Sequence, residues 1–132
     1  MFDSPLMGKR VMMVGAVVIV DVTIEAELRR AGARTIAACQ SPAESVATYV
    51  QEKPDLVLIG ITPSSLAESI DAIQKMTADD AACVAAIIHN VDIEDERRLR
   101  DVGATAIFKK PFTAADLIPA LEETFRQHLS RR

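Results

Sequence analysis

Five short apolar runs are spaced along this chain, and a stretch with helical periodicity follows each of them. The runs are Val11 to Val14, "RTIAAC", "DLVLIG", "ACVAAII" and "TAIF". Between and after them lie "EAELRRAGA", "AESVATYVQE", "LAESIDAIQKM", "IEDERRLRDV" and "AADLIPALEETFRQHL". A strand followed by a helix and another strand is the unit that lets neighbouring strands run parallel, because a parallel pair needs a long crossover. "DLVLIG" is apolar throughout rather than alternating, so it is buried on both faces. The pattern therefore predicts an α/β chain of five βα units, a parallel sheet with helices on both sides.

Local signals punctuate these elements. Gly32 is a helix stop after "EAELRRAGA". Ser41 and Glu44 have the capping-box spacing, with Pro42 in the first turn, and the second helix ends before Pro54. Ser64 or Ser65 caps the third helix, and Gly103 stops the fourth. Thr113 opens the last helix, which has apolar Leu117, Leu121 and Phe125 at spacing four. Pro119 inside it either kinks the helix or marks a later start. "AVVIVDVTI" is dense in β-branched residues, a poor helix composition. It is read as helix from about Val17, because a strand of that length would leave no crossover to the next parallel strand.

Composition removes several function classes. The 132 residues carry a net charge of -4, which gives no basic footprint for nucleic acid. The longest apolar run, Val11 to Val20, stops at Asp21 and is too short to span a membrane. A basic pair, Lys9-Arg10, precedes it as in a signal peptide. No small-residue cleavage site follows, however, and removal would delete a core strand. Cys39 and Cys83 have no metal-binding spacing and fit a reduced compartment. They fall at opposite ends of strands that are not neighbours, so a disulfide is not expected. The expectation is one domain over residues 1–132, with its core at about 9–129, in the cytoplasm, without a cofactor or metal.

The segments "KRVMMV", "RRAGA", "KPDLVLIG" and "DVGATAIFKKPF" together resemble the receiver domain of two-component response regulators, over roughly Lys9 to Leu129. The resemblance implies a doubly wound, flavodoxin-like, five-stranded sheet of order 2-1-3-4-5. It also implies a phosphorylation site at the strand C-termini. In the family, two acidic residues after the first strand and an aspartate ending the third hold Mg²⁺, and that aspartate takes the phosphoryl group. The cation and a lysine offset the charge of the phosphoryl oxygens. A Ser/Thr ending the fourth strand binds the added group, and an aromatic residue on the fifth then turns inward.

Placed on that pattern, the acidic pair falls on Gly15 and Ala16, and the acceptor on Gly60, six residues after Pro54. The Ser/Thr falls on Ile88, or on His89 if the loop differs by one. The aromatic switch falls on Ile107, next to Phe108. Lys110, before Pro111, survives. No register shift restores an aspartate: Asp55 begins the third strand, at the wrong end, and Asp21 lies too far along the first helix. Every oxygen ligand for Mg²⁺ is thus missing, and Gly60 has no nucleophile. The expectation is a degenerate, pseudo-receiver domain that acts as a phosphorylation-independent interaction module in two-component or phosphorelay signalling, and is not an enzyme. The alternative is an atypical phosphoaccepting response regulator using a non-standard residue, which only Lys110 supports. A flavodoxin-type phosphate loop and a corrinoid D-x-H-x-x-G motif are both absent.

The remaining candidates carry two readings each. Lys110 is an anion site or a leftover lysine. His89 is a ligating group or a polar loop residue without companions. Val17, Val18 and Ile19 border the old site, and plug its cavity, expose an apolar patch to a partner, or do both. "IEDERRLRD" reads as a solvated helix with i,i+4 pairs such as Glu94 with Arg98. In the family the fourth helix, fifth strand and fifth helix form the main partner surface, which here carries Arg97, Arg100 and Lys109. The partners the resemblance implies are a histidine kinase, another signalling protein or effector, or a second copy of the chain in a homodimer through that surface.

Overall fold

The computed structural model describes residues 4–15, 22–39, 41–79, 82–109 and 114–130. Five strands alternate with five α-helices: β1 (Arg10–Val14), α1 (Val22–Arg30), β2 (Arg34–Cys39), α2 (Pro42–Glu52), β3 (Leu56–Ile61), α3 (Leu66–Met76), β4 (Val84–Ile88), α4 (Ile93–Asp101), β5 (Ala106–Lys109) and α5 (Ala114–Ser130). All neighbouring strands are parallel, in the order β2-β1-β3-β4-β5. The expected fold class and strand order are both found.

The period of two along each strand divides the core between the faces of the sheet. Val11, Met13, Leu56, Leu58, Ala85 and Ile87 pack with α1 and α5 through Ile24, Leu28, Leu117, Leu121 and Phe125. Met12, Val14, Val57, Ile59, Ala86 and Ile88 pack with α2, α3 and α4 through Tyr49, Ile73, Met76 and Leu99. All six residues of β3 are buried, which is why its sequence does not alternate. At the foot of the sheet Asp55 ties β1 to β3. Its carboxylate accepts from the Arg10 N–H at 2.9 Å, and its own N–H donates to the Arg10 carbonyl at 2.8 Å.

Several boundaries move. β3 begins one residue later than "DLVLIG" and includes Ile61, β4 begins at Val84, and β5 covers Ala106–Lys109. The described part of α1 begins at Val22, and the expected start near Val17 lies outside the described residues, as does Thr113. Ser41 Oγ accepts from the Glu44 N–H at 3.3 Å, with Pro42 at the first position, as the spacing predicts. The start of α3 differs from expectation. A 3₁₀ turn, Pro63–Ser65, precedes it, and Ser65 in the cap position makes no capping bond to α3. Its hydroxyl instead accepts from the Thr62 N–H at 3.1 Å, because the 3₁₀ turn needs closing first. α5 runs through Pro119, which sits on its exposed side, so the helix starts well before the proline.

The two cysteines are free and buried, and they belong to opposite faces of the sheet. Burial pushes the Cys83 thiol up to about 11, against the opposing pull of a hydrogen bond with Thr105. The unfolded thiol ionises first, so stability must fall as pH rises from about 9 towards 11. The urea midpoint of the native protein is expected to drop more steeply over that window than that of Cys83→Ala; equal slopes would contradict the assignment.

α4 is stopped by Gly103, at φ +118. A Cβ there would lie 2.5 Å from Thr77 Oγ1, whose hydroxyl donates to the Val102 carbonyl at 2.8 Å and so joins α3 to the end of α4. Gly103→Ala combines a left-handed backbone with a steric clash, and should cost about 2 kcal/mol or more in urea unfolding. A loss below about 0.5 kcal/mol would show that the turn readjusts freely.

Candidate functional site

Ligand sites in open α/β sheets form outside the carboxyl ends of the strands, where the strand order reverses. Here that point lies between β1 and β3, and it brings Gly15 and Gly60 together. Gly15 follows the last residue of β1, at φ +114, and its N–H donates to the Cys39 carbonyl at 2.8 Å. Gly60 is the fifth residue of β3, opposite Ile87 of β4. A Cβ on Gly15 would lie 2.8 Å from the Gly60 carbonyl oxygen, 3.2 Å from its nitrogen and 3.3 Å from its Cα. The two backbones thus approach each other to a distance that only a residue without a side chain permits.

The positions around them are apolar. Ile88 ends β4, is buried, and lies beside Ile61 and Lys109. Ile107 is half-buried on β5, opposite Ala86, and packs into the core on the α3 and α4 side. Phe108 faces the other way, towards α1 and α5. His89 is exposed; its backbone N–H donates to the Ile61 carbonyl at 3.1 Å, which extends the strand pairing, and Asn90 after it adopts φ +60. Ala16, Val17, Val18, Ile19 and Lys110 lie outside the described residues.

The donor set does not fit the Mg²⁺ that the receiver pattern implies. Mg²⁺ requires oxygen ligands, usually one or two carboxylates, and the described residues at these strand ends are Gly15, Gly60 and Ile88. Among the described residues, no cluster of three His, Cys, Asp or Glu side chains could hold a metal ion. Asp55 is at the foot of the sheet, bonded to Arg10. No helix of the described residues is long and apolar enough to cross a membrane.

Beside the strand ends, two features were hidden in the sequence. The turn after β3 gathers hydroxyls: Thr62 Oγ1 lies 3.0 Å from Ser64 Oγ and 3.4 Å from Ser65 Oγ. On α4, Glu96 reaches across to β5, where its carboxylate lies 2.8 Å from the Lys109 ammonium and 3.7 Å from Arg100. The expected Glu94–Arg98 pair is replaced by Arg98 with Asp95, at 3.3 Å, one step closer along the helix. Arg97 is exposed and makes no ion pair among the described residues.

The same backbone is found in other proteins. The receiver domain of a modulated diguanylate cyclase from Desulfovibrio desulfuricans G20 superposes with a TM-score of 0.81, at 18% identity, covering 95% of this chain and 99% of that one. A CheY-like response regulator receiver domain protein from Methanospirillum hungatei JF-1 gives the same TM-score and coverage at 20% identity. The fold is that of a receiver domain. In sequence, the chain is 27% identical over 114 residues to the transcriptional regulatory protein PdtaR of Mycobacterium tuberculosis, covering 86% of this chain. It spans only 55% of that relative's length. No family model matches.

The glycine contact can be tested directly. Gly15→Ala adds a Cβ against the Gly60 backbone at a left-handed φ, and is expected to cost on the order of 2–4 kcal/mol in urea unfolding. A near-neutral result would mean that the two strand ends are not in contact.

Proposed function

We propose that this chain is a degenerate receiver domain, a non-enzymatic protein-interaction module of two-component signalling that works without phosphorylation. The observation that carries this reading is the close approach of Gly15 to Gly60. In the receiver pattern these positions supply carboxylates to a metal ion and to a phosphoryl group. Here the first is a glycine whose Cβ would collide with the backbone of the second. An isolated loss of the acceptor would leave a metal site behind, but Gly15, Ala16 and Gly60 lack carboxylates together, and Ile88 lacks a hydroxyl. Lys110 is then a remnant, without an anion to bind.

The reading extends to the switch. A receiver changes state because phosphate binding favours one of two surface conformations. Ile88 has no group to bind phosphate, and Ile107 has no ring to swing and is packed against the core. The surface of α4, β5 and α5, with Arg97, Arg100 and Lys109, is therefore held in one form, available to a kinase, an effector or a second copy of the chain. Control passes to abundance or to the partner. Residues 1–132 act as one receiver-like unit in the cytoplasm, with no role in nucleic-acid binding; the net charge of -4 supports the last point.

Incubation with acetyl phosphate and Mg²⁺ tests the reading. The intact mass should stay unchanged, and calorimetry should detect no saturable Mg²⁺ binding at millimolar concentration. A gain of one phosphoryl group at a mapped residue would instead establish the alternative, a phosphoaccepting receiver with a non-standard site.

A further inference from the structure

At the foot of the sheet, opposite the end where Gly15 meets Gly60, four segments border a cavity of about 270 Å³. They are the residue before β1, the turn from α2 into β3, the segment after α3 and the last turn of α5. Tyr49, Pro54 and Phe125 line it and are buried, whereas Leu129 lines it and is 41% exposed. Charges of both signs share this space. Lys53 ends α2 in a left-handed turn, at φ +47, a conformation that glycine takes more cheaply. That turn brings Lys53, Pro54 and Asp55 in succession to the cavity wall. The half-buried Lys9 holds its ammonium 5.9 Å from the centre of the Phe125 ring. Neither lysine makes an ion pair among the described residues. The two carboxylates are each oriented by an uncharged donor, Asp55 by the Arg10 N–H and Asp79 by the Tyr49 hydroxyl, both at 2.9 Å. An uncharged donor fixes a carboxylate without cancelling its charge. His128, on the α5 wall, has a contact of its own. Beside the cavity Arg10 and Glu52 pair with each other and add no net charge. Asp80, Arg131 and Arg132 lie outside the described residues.

We infer that this cavity binds a zwitterionic α-amino acid with an apolar side chain. A simple anion is drawn to the lysines but repelled by the aspartates, and a simple cation meets the reverse. A ligand with a carboxylate and an ammonium on one carbon suits both pairs. Its carboxylate goes to Lys9 and Lys53, its ammonium to Asp55 and Asp79, and its side chain covers Phe125 and Leu129. The volume lies just below the range of sites for drug-sized ligands, which suits a molecule of about ten non-hydrogen atoms. Because the ligand touches four segments, it ties the end of α5 to the feet of β1 and β3, and stability rises with its concentration. The cavity is at the other end of the sheet from the degenerate site and does not depend on it.

Titration of the full chain with L-leucine, followed by two-dimensional amide NMR, tests the site. Saturable shifts are expected at about millimolar concentration, at Lys9, Lys53, Asp55, Asp79 and Leu129, with none at Gly15 or Gly60. Isocaproate, which lacks the ammonium, and isoamylamine, which lacks the carboxylate, should each bind at least about tenfold more weakly. Glycine, without the apolar side chain, should also bind more weakly. Lys9→Gln with Lys53→Gln should weaken leucine binding by about tenfold or more. Asp79→Asn, which keeps an acceptor for the Tyr49 hydroxyl, and Leu129→Ser should each weaken it several-fold. Lys75→Gln, whose lysine pairs with Asp71 on α3, should leave it unchanged. Circular dichroism and urea unfolding of each variant separate lost binding from lost structure. The absence of saturable shifts up to about 10 mM leucine would overturn the proposal. So would isocaproate or isoamylamine binding as tightly as leucine, or full affinity in a folded double lysine variant. Treatment with acetyl phosphate reads the opposite end of the sheet, so either result can fail while the other stands.

Discussion

Everything in this structure is hung from β3. All six of its residues are buried, it is flanked by β1 and β4, and both of its faces are covered by helices. Such a strand has no solvent to satisfy its backbone, so its pairing must be complete on both edges. The requirement places β1 and β4 beside it, sends their connections over opposite faces, and makes the carboxyl ends of β1 and β3 meet where the strand order reverses. The site of the fold is a consequence of that strand, whatever residues occupy it.

Two of the residues that stand there carry no side chain. Gly15 and Gly60 bring their backbones into close contact at the ends of β1 and β3, and Ile88 ends the next strand with a buried apolar side chain. Apolar and glycine residues need no counter-charge, so the strand ends need no cation to stabilise them. In a receiver with clustered carboxylates, mutual repulsion is relieved by metal, and the site responds to what binds.

The polar chemistry has moved to the flank. The Glu96 carboxylate holds α4 to β5 through Lys109, and Thr77 holds the end of α4 to α3. These links cross between elements, unlike the i,i+3 and i,i+4 pairs on α1 and α3, which stay within one helix. Links within a helix add little to tertiary structure, whereas links between elements determine how a surface is presented. The α4–β5 surface is therefore a place where charge is organised by tertiary contacts, as it is at the foot of the sheet, where Arg10 of β1 pairs with Glu52 of α2.

The sequence by itself determined the class of fold, because a fully apolar run such as Leu56–Ile61 between amphipathic stretches has few ways to be buried. The resemblance to the receiver pattern, aligned on Pro54 and Gly32, put Gly15 and Gly60 at the strand ends, where both are found. The sequence could not reveal that Gly15 touches Gly60, which depends on two strands 45 residues apart meeting at one register. Nor could it show that Glu96 would take Lys109 as well as its helical neighbour Arg100: local spacing offers only the pair within α4, and the second partner was added when β5 docked beside the helix. The start of α3 was legible only in part: Ser65, one of the two expected residues, takes the cap position, but its hydroxyl bonds the Thr62 N–H rather than the helix, because several hydroxyls in "TPSS" had equal local claims and only the folded turn chose among them. Local chemistry is written in the order of residues, while contacts between distant elements exist only once the sheet has brought them together.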